Sequence, residues 1–308
     1  MFDIVIIGGG PSGLTAAIYV QRMGKKALII EKNAPGGRML NTHLVENYPG
    51  IDSITGGQLS INIFNQATKF GTQFEFGASV IDIKHNEKTK INEIFLDNGK
   101  VIPSLTVYIT SGSTPKLLNL QNTDKFFGNG ISTCVICDGS FARGGPIAII
   151  GGGNSAAEEA IFARSISSHV YIINRLEEII AEKVILNKLK TFENVTILNS
   201  SEVVKYLGED KITGVRVKNS ISGKEIELDV NYIFLYIGSS PNTNFAKKLN
   251  ILDENGYIKI DPWTMKTNIA SIFAGGDVVP RKFKQISIST SDGTIAALEA
   301  IKYIDENF

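Results

Sequence analysis

Gly8-Gly9-Gly10-Pro11-Ser12-Gly13 punctuates an otherwise regular start to the chain. The apolar run Phe2–Ile7 before it reads as a strand, Leu14–Met23 after it as a helix, and Lys26–Ile30 as a second buried strand ending at Glu31. Strand, glycine-rich turn, helix, strand and terminal acid, in that order, make up the full context of a dinucleotide-binding fingerprint. Gly8 permits the tight turn, Gly10 lets a pyrophosphate approach the backbone, and Gly13 lets helix and strand pack closely. The N–H groups that open the helix offer a place for phosphate. Glu31 stands where an acid accepts hydrogen bonds from ribose hydroxyls.

The pattern returns at Gly151-Gly152-Gly153-Asn154-Ser155-Ala156, between a strand at Pro146–Ile150 and a helix at Ala157–Ser165, with His169–Ile173 as the next strand. From Gly8 to Glu31 is 23 positions, and from Gly151 to Asn174 is again 23, so Asn174 occupies the slot that Glu31 fills. Ala156 replaces the third glycine, a tolerated variant. Gly151, Gly153 and Ala156 are therefore candidate contacts for a second nucleotide. Short β-rich segments follow each unit: Gln73–Phe76, Ser79–Lys84, Ile91–Leu96 and Val101–Thr110, then Val195–Leu198, Glu202–Tyr206, Gly214–Lys218, Lys224–Leu228 and Tyr232–Ile237. They read as β-meanders. Near the C-terminus, the apolar strand Ser271–Ala274 ends in Gly275-Gly276-Asp277, and Ser287–Ile301 reads as a helix. The expected fold class is α/β, with two Rossmann-like, three-layer ββα nucleotide-binding domains. Two such modules imply two nucleotides, and an enzyme that holds two redox nucleotides usually passes electrons between them.

Composition agrees. A chain of 308 residues suggests two domains. With 43% hydrophobic and 20% charged residues it is neither disordered nor a disulfide-stapled mini-protein. Thirty-one basic residues balance thirty-one acidic ones, so no net field argues for nucleic acid or an anionic membrane surface. The longest apolar runs, such as Ile147–Ile150 and Tyr232–Ile237, fall far short of the ~20 residues of a membrane helix. The start carries Asp3 and no basic segment, unlike a secretory signal, so a cytoplasmic location is expected.

The two cysteines, Cys134 and Cys137, are spaced Cys-x-x-Cys. A structural disulfide is not expected where the cytosol keeps thiols reduced. Zinc normally takes four ligands, and His43, His85 and His169 are scattered without paired spacing, so no metal site is expected. A redox dithiol is the better reading, because this spacing places two thiols within reach and commonly lowers a thiol pKa towards neutrality.

With these motifs in order the chain resembles the low-molecular-weight thioredoxin reductases, and the likeness runs from Phe2 to Tyr303. Its markers are Gly8–Gly13, Gly36-Gly37, Glu46-Asn47-Tyr48-Pro49-Gly50, Cys134-Val135-Ile136-Cys137-Asp138 and Gly151–Ala156, then Gly238–Thr243, Gly275-Gly276-Asp277 and Gln285. The Cys-x-x-Cys-Asp run just before the second glycine turn is the most specific of them. The resemblance implies a discontinuous FAD domain at 1–113 and 244–308, with a pyridine-nucleotide-type domain, 114–243, inserted and carrying the dithiol. By the same resemblance FAD contacts fall on Gly8, Gly10, Gly13, Glu31, Asn47, Asp277 and Gln285, and the protein is a homodimer. Cys134 becomes the thiol that exchanges with the partner disulfide, Cys137 the one that meets the flavin, and Asp138 a general acid or base. The alternative reading of Asp138 is a helix cap before Gly139. The implied partner is thioredoxin or a thioredoxin-like disulfide protein. A non-catalytic flavoprotein redox sensor, a dithiol oxidase and a peroxiredoxin reductase are the other readings.

The electron donor departs from the family pattern. NADPH-using members carry His-Arg-Arg-x-x-x-Arg after the second strand, where this chain has Asn174-Arg175-Leu176-Glu177-Glu178-Ile179-Ile180. Arg175 alone remains to hold a 2′-phosphate. At ~1.5–3 kcal/mol for each charge-assisted hydrogen bond, the two missing arginines remove roughly 3–6 kcal/mol of NADPH recognition, about 10²- to 10⁴-fold in affinity. Asn174 is also not the acid that takes a ribose diol in NADH enzymes. NADPH or NADH remains the expected donor, because the second glycine turn is intact. Reduced ferredoxin is the alternative: from about −400 mV to thioredoxin near about −270 mV is downhill by ~6 kcal/mol per electron pair. The basic run Arg281-Lys282-Phe283-Lys284 beside Gln285 could face such an acidic partner.

Overall fold

The structure, a computed structural model, describes residues 1–42 and 44–308. His43, one of the three histidines weighed as metal ligands, lies outside the described residues. The chain forms two compact units, one of residues 1–114 and 240–308, the other of residues 115–239. The crossings fall at 114/115 and 239/240, against 113/114 and 243/244 in the sequence reading.

The discontinuous unit is built on β1 (Phe2–Ile7), β2 (Ala27–Glu31), β3 (Gln73–Phe76), β4 (Val80–His85), β5 (Asn92–Leu96), β6 (Val101–Ile109) and a late strand, Ile272–Ala274. β3, β2, β1, β6 and Ile272–Ala274 lie side by side in parallel, whereas β4, β5 and β6 pair antiparallel. β6 belongs to both arrays. Its first half pairs with β5, from Val101 to Ser104, and its last three residues, Val107–Ile109, pair with Ile272–Ala274. Helices α1 (Pro11–Arg22) and α2 (Gly56–Lys69) and a long C-terminal helix, Ile286–Asn307, complete the unit.

β1 shows why Ile4–Ile7 is an unbroken apolar run. Ile4 and Ile6 pack with Leu14, Ala16 and Ala17 of α1 and with Ala296, Ala297 and Ala300 of the C-terminal helix. Val5 and Ile7 face the opposite core with Leu28, Ile94 and Val107. A parallel strand covered on both faces has no polar side to show. The C-terminal helix approaches α1 so closely that a Cβ on Gly293 would lie 2.2 Å from the Ser12 carbonyl oxygen.

The contiguous unit repeats the plan. Pro146–Ile150, His169–Ile173, Val195–Leu198, Tyr232–Leu235 and the short Ile131–Ser132 make a parallel five-stranded sheet. Ser201–Leu207, Gly214–Asn219 and Glu225–Asp229 make a separate antiparallel meander. Ile147 and Ile149 pack against the helix Asn154–Ala163, and Ala148 and Ile150 against the meander side, with Val203, Val215 and Val217. The α/β architecture of two Rossmann-like units is therefore the one adopted.

One expectation is corrected. Gln73–Phe76, Val195–Leu198 and Tyr232–Leu235 are not meander strands but lie parallel to β2, to His169–Ile173 and to Pro146–Ile150. Parallel neighbours need a crossover; the helices α2 and Lys183–Leu189 precede the first two of these strands, and the meander precedes the third. No helix among the described residues is long and apolar enough to cross a membrane.

Candidate functional site

The first glycine turn is shaped by what cannot fit there. Gly8 has φ +109°, and a Cβ on it would lie 2.4 Å from the Thr110 carbonyl oxygen. A Cβ on Gly13 would lie 2.1 Å from the Gly8 oxygen, so α1 sits directly on the end of β1. Gly10 differs: a Cβ there meets nothing within 4 Å. α1 starts at Gly10 with Pro11 in its first turn, no side-chain cap and no acid. Its leading N–H groups and positive dipole end favour an anion over the open face of Gly10.

The other expected residues gather around this turn or pair off beside it. Glu31 Oε2 accepts the Gly9 N–H at 2.7 Å and Oε1 accepts the Asn33 N–H at 2.8 Å. Each carboxylate oxygen keeps a second acceptor position. Asn47 Nδ2 donates to Gln285 Oε1 at 3.2 Å, and Asp277 is paired at 3.0 Å with Arg38, a residue the motifs did not single out. Behind the Gly275-Gly276-Asp277 turn, buried Asp292 accepts the Gly276 N–H at 2.9 Å and the Arg281 guanidinium at 2.7 Å. Burial pushes the Asp292 carboxyl above its ordinary range, opposed by those two donors. Tyr108, fully buried, shares a 2.6 Å hydrogen bond with Ser12 and is also pushed up by burial. Arg281, from the basic run, is thus committed inside this unit. An uncapped helix start, an open glycine face, a carboxylate at the end of β2 and a carboxamide pair fit a bound dinucleotide.

The second turn has the same frame with different chemistry. Gly151 has φ +149°, and a Cβ on it would lie 2.5 Å from the Tyr236 carbonyl oxygen. Ala156 is buried, and Gly153 again faces open space at an uncapped helix start. Asn174 does not reach outward as a ribose ligand would. It is buried, its Nδ2 donates to the Leu176 oxygen and to Asn199 Oδ1 at 3.1 Å each, and its Oδ1 accepts the Leu176 N–H at 3.2 Å. Arg175 is exposed. Leu176 and Ile180, in the places of the two missing arginines, are 41% and 71% exposed. The stretch is strapped over the turn, with Ile180 N–H on the Gly152 oxygen at 2.7 Å and Glu182 N–H on Asn154 Oδ1 at 2.8 Å.

The two cysteines sit in the same unit. Cys134 and Cys137 are joined by a disulfide, with Cα atoms 5.3 Å apart, across the short helix Val135–Asp138. Cys134 Sγ accepts the Cys137 N–H at 3.1 Å, and the Cys134 N–H is held by Ser132 Oγ at 3.1 Å. An N–H aimed at a sulfur stabilises negative charge on it. Ile136 and Phe141 leave apolar surface exposed beside the pair. Asp138 is half-buried, and its N–H donates to the Cys134 oxygen at 3.1 Å. Its side chain makes no capping bond to the 3-10 turn Gly139–Ala142 that follows, so the capping reading lapses. Its charge instead adds to the upward shifts of the phenols of Tyr232 and Tyr236. No group of three or more His, Cys, Asp or Glu able to hold a metal ion occurs among the described residues.

Comparison with known proteins adds to this geometry. Residues 2–293 match the family described as pyridine nucleotide-disulphide oxidoreductase. The chain is 41% identical over 297 residues to a thioredoxin reductase of Mycoplasmopsis pulmonis (strain UAB CTIP), covering 96% of this chain and 95% of that one. It is 35% identical over 308 residues to a thioredoxin reductase of Bacillus subtilis (strain 168), covering 99% and 96%. Among solved structures, thioredoxin reductase from Streptococcus pyogenes MGAS5005 matches with a TM-score of 0.93 at 32% identity, over 99% of both chains.

Proposed function

The chain belongs to the pyridine nucleotide-disulphide oxidoreductases, within them to the low-molecular-weight thioredoxin reductases, and from that premise we propose the parts its residues play. Its working group is the Cys134–Cys137 pair, its resident cofactor FAD, its donor a pyridine nucleotide and its substrate the disulfide of thioredoxin. Bound FAD supplies two-electron transfer between the donor and the Cys134–Cys137 disulfide. Gly8, Gly10 and Gly13 with the start of α1 hold its pyrophosphate, Glu31 a ribose, and Asn47, Asp277 and Gln285 the remainder. Gly151, Gly153, Ala156 and Arg175 receive the donor nucleotide.

The observation that carries this reading is the Cys137 N–H aimed at Cys134 Sγ at 3.1 Å. Once the pair is reduced, that N–H favours thiolate on Cys134, which makes Cys134 the attacking sulfur. The thiolate forms a bond to one sulfur of the substrate disulfide as the substrate S–S bond breaks, and the departing sulfur takes a proton. Asp138, next to the pair, is the group that moves protons here. Cys137 then attacks Cys134, restores the disulfide and releases the second substrate thiol. Two electrons pass to the substrate and the chain returns to its oxidised state.

A second reading, reduced ferredoxin as donor, is favoured by one observation. The exposed Leu176 and Ile180 leave Arg175 as the lone cation in the 174–180 stretch. The deciding experiment is anaerobic bleaching of the flavin by NADPH, by NADH and by reduced ferredoxin, each with thioredoxin present. Bleaching by NADPH or NADH supports the first reading. Inertness to both, with bleaching by ferredoxin, overturns it.

A further inference from the structure

Tyr236 stands where the second glycine turn and the dithiol turn meet. Its backbone N–H donates to the Ile150 oxygen at 2.7 Å, and its carbonyl blocks the space beside Gly151. Its hydroxyl accepts the Val135 N–H at 2.8 Å, from 101 positions away in sequence. A phenol has one proton to give and two lone pairs to receive with, so with Val135 on a lone pair the proton is free to point elsewhere. The carboxyl of Glu159, on the helix Asn154–Ala163, faces it. Glu159 Oε2 is shut off from solvent without a hydrogen-bond partner. Burial raises the Glu159 carboxyl above its ordinary value, the Tyr236 hydroxyl opposes the rise, and Glu158 adds to it. Tyr236 is itself pushed far up by burial and by the charges of Glu159 and Asp138, so it keeps its proton through the working range.

We propose that Tyr236, backed by Glu159, is the positioning residue of the dithiol, its hydroxyl holding Val135 and thereby the turn on which Cys134 and Cys137 react. The inference rests on the dithiol reading above. Among the amides that fix this turn are Cys134 on Ser132, Val135 on Tyr236, Cys137 on Cys134 Sγ and Asp138 on the Cys134 oxygen. All but the Val135 bond lie within the loop itself. Tyr236 alone of these acceptors comes from another strand, one residue past the end of Tyr232–Leu235, which runs parallel beside Ile131–Ser132.

The arrangement matters most after reduction. With the S–S bond broken, two electrons gained and the covalent brace gone, hydrogen bonds must keep the Cys137 N–H aimed at Cys134 Sγ. If Val135 drifts, the N–H leaves the sulfur and the thiolate loses its stabilisation.

The test is the pH profile of Cys134 alkylation by iodoacetamide in the flavin-loaded protein carrying Cys137→Ser, with and without Tyr236→Phe. In parallel, kcat and KM for thioredoxin are measured with both cysteines present. Tyr236→Phe removes one oxygen and keeps the ring. The expected result is an upward shift of the alkylation midpoint and a fall of about tenfold in kcat with KM unchanged, the size of one orphaned buried amide. Glu159→Ala is expected to move the midpoint in the same direction, and Glu159→Gln, which keeps the side chain's size and an acceptor oxygen toward the Tyr236 hydroxyl, to restore it. This arm also decides the matter if Tyr236→Phe fails to fold. An unmoved midpoint in Tyr236→Phe overturns the proposal, and an unmoved midpoint in Glu159→Ala overturns the part given to Glu159. If the wild-type protein reduces no thioredoxin, the substrate reading falls, and the alkylation profile still decides the positioning role.

Discussion

Asn174 closes the floor of the second glycine turn: a Cβ on Gly152 would stand 2.1 Å from its side-chain oxygen. In the first turn, Glu31 has the same relation to Gly9, at 3.2 Å. The two residues share a slot but not a task. Glu31 accepts backbone N–H groups with lone pairs to spare, whereas Asn174 uses its amide as a donor to two oxygens. Asn174→Asp would put a buried carboxylate against the Leu176 and Asn199 oxygens and strip them of their donor. It is expected to destabilise the protein by about 3 kcal/mol, read as a lower denaturation midpoint in urea, without creating NADH preference.

Leu176 and Ile180 are exposed and can be exchanged without opening a cavity. Leu176→Arg and Ile180→Arg should each strengthen NADPH binding by about 10- to 150-fold, the equivalent of ~1.5–3 kcal/mol for one charge-assisted bond to phosphate. NADH binding should stay level. Titration of the protein with each nucleotide measures the difference.

Serine at Cys134 or Cys137 should abolish thioredoxin reduction, because neither sulfur alone can both attack and release a mixed disulfide. Flavin bleaching by the donor should persist in both variants. Turnover retained in either one would remove the pair from the reaction.

Glu159 makes a pH prediction whose sign follows from its raised pKa. Well below the ordinary value of 4.5 the carboxyl is protonated in both folded and unfolded chains. As pH rises, the unfolded chain releases the proton first and the folded chain holds it longer. The contribution of Glu159 to stability is thus full at acid pH and is lost as pH rises through the folded pKa. The groups acting on it are Tyr236 and Glu158, with Asp138 acting on Tyr236 in turn. Glu159→Gln removes this slope, so its melting temperature should gain on the wild type as pH rises above the ordinary value of 4.5.

How much of this was legible in the residues depends on the reach of each interaction. Phe2–Ile7 and Pro146–Ile150 read as buried strands and are, since runs covered on both faces carry their own signature. α2 is absent from the sequence reading because Gly56-Gly57 opens it like a turn. Its signal was nonetheless present: Thr55 caps the Gln58 N–H at 3.1 Å, one half of a capping box, three residues apart. The direction of Gln73–Phe76 hung on that missed helix. Arg38 meets Asp277 from 239 positions away, and Tyr236 meets Val135 from 101. No local pattern announces such pairs. The spacing puts Asn174 in its slot, yet only its hydrogen bonds tell that it faces inward.

The double membership of β6 has a consequence for how the protein is made. One edge of Val107–Ile109 is completed by a strand that leaves the ribosome roughly 165 residues later. At ~5–20 residues per second that is a wait of roughly 8–30 s. Through that interval the newborn chain carries an open parallel edge, the kind of surface on which nascent chains stick to one another. The contiguous unit, 115–239, is synthesised within the wait and can fold whole. A ribosome paused before residue 272 would therefore hold one finished unit and one still open to chaperones.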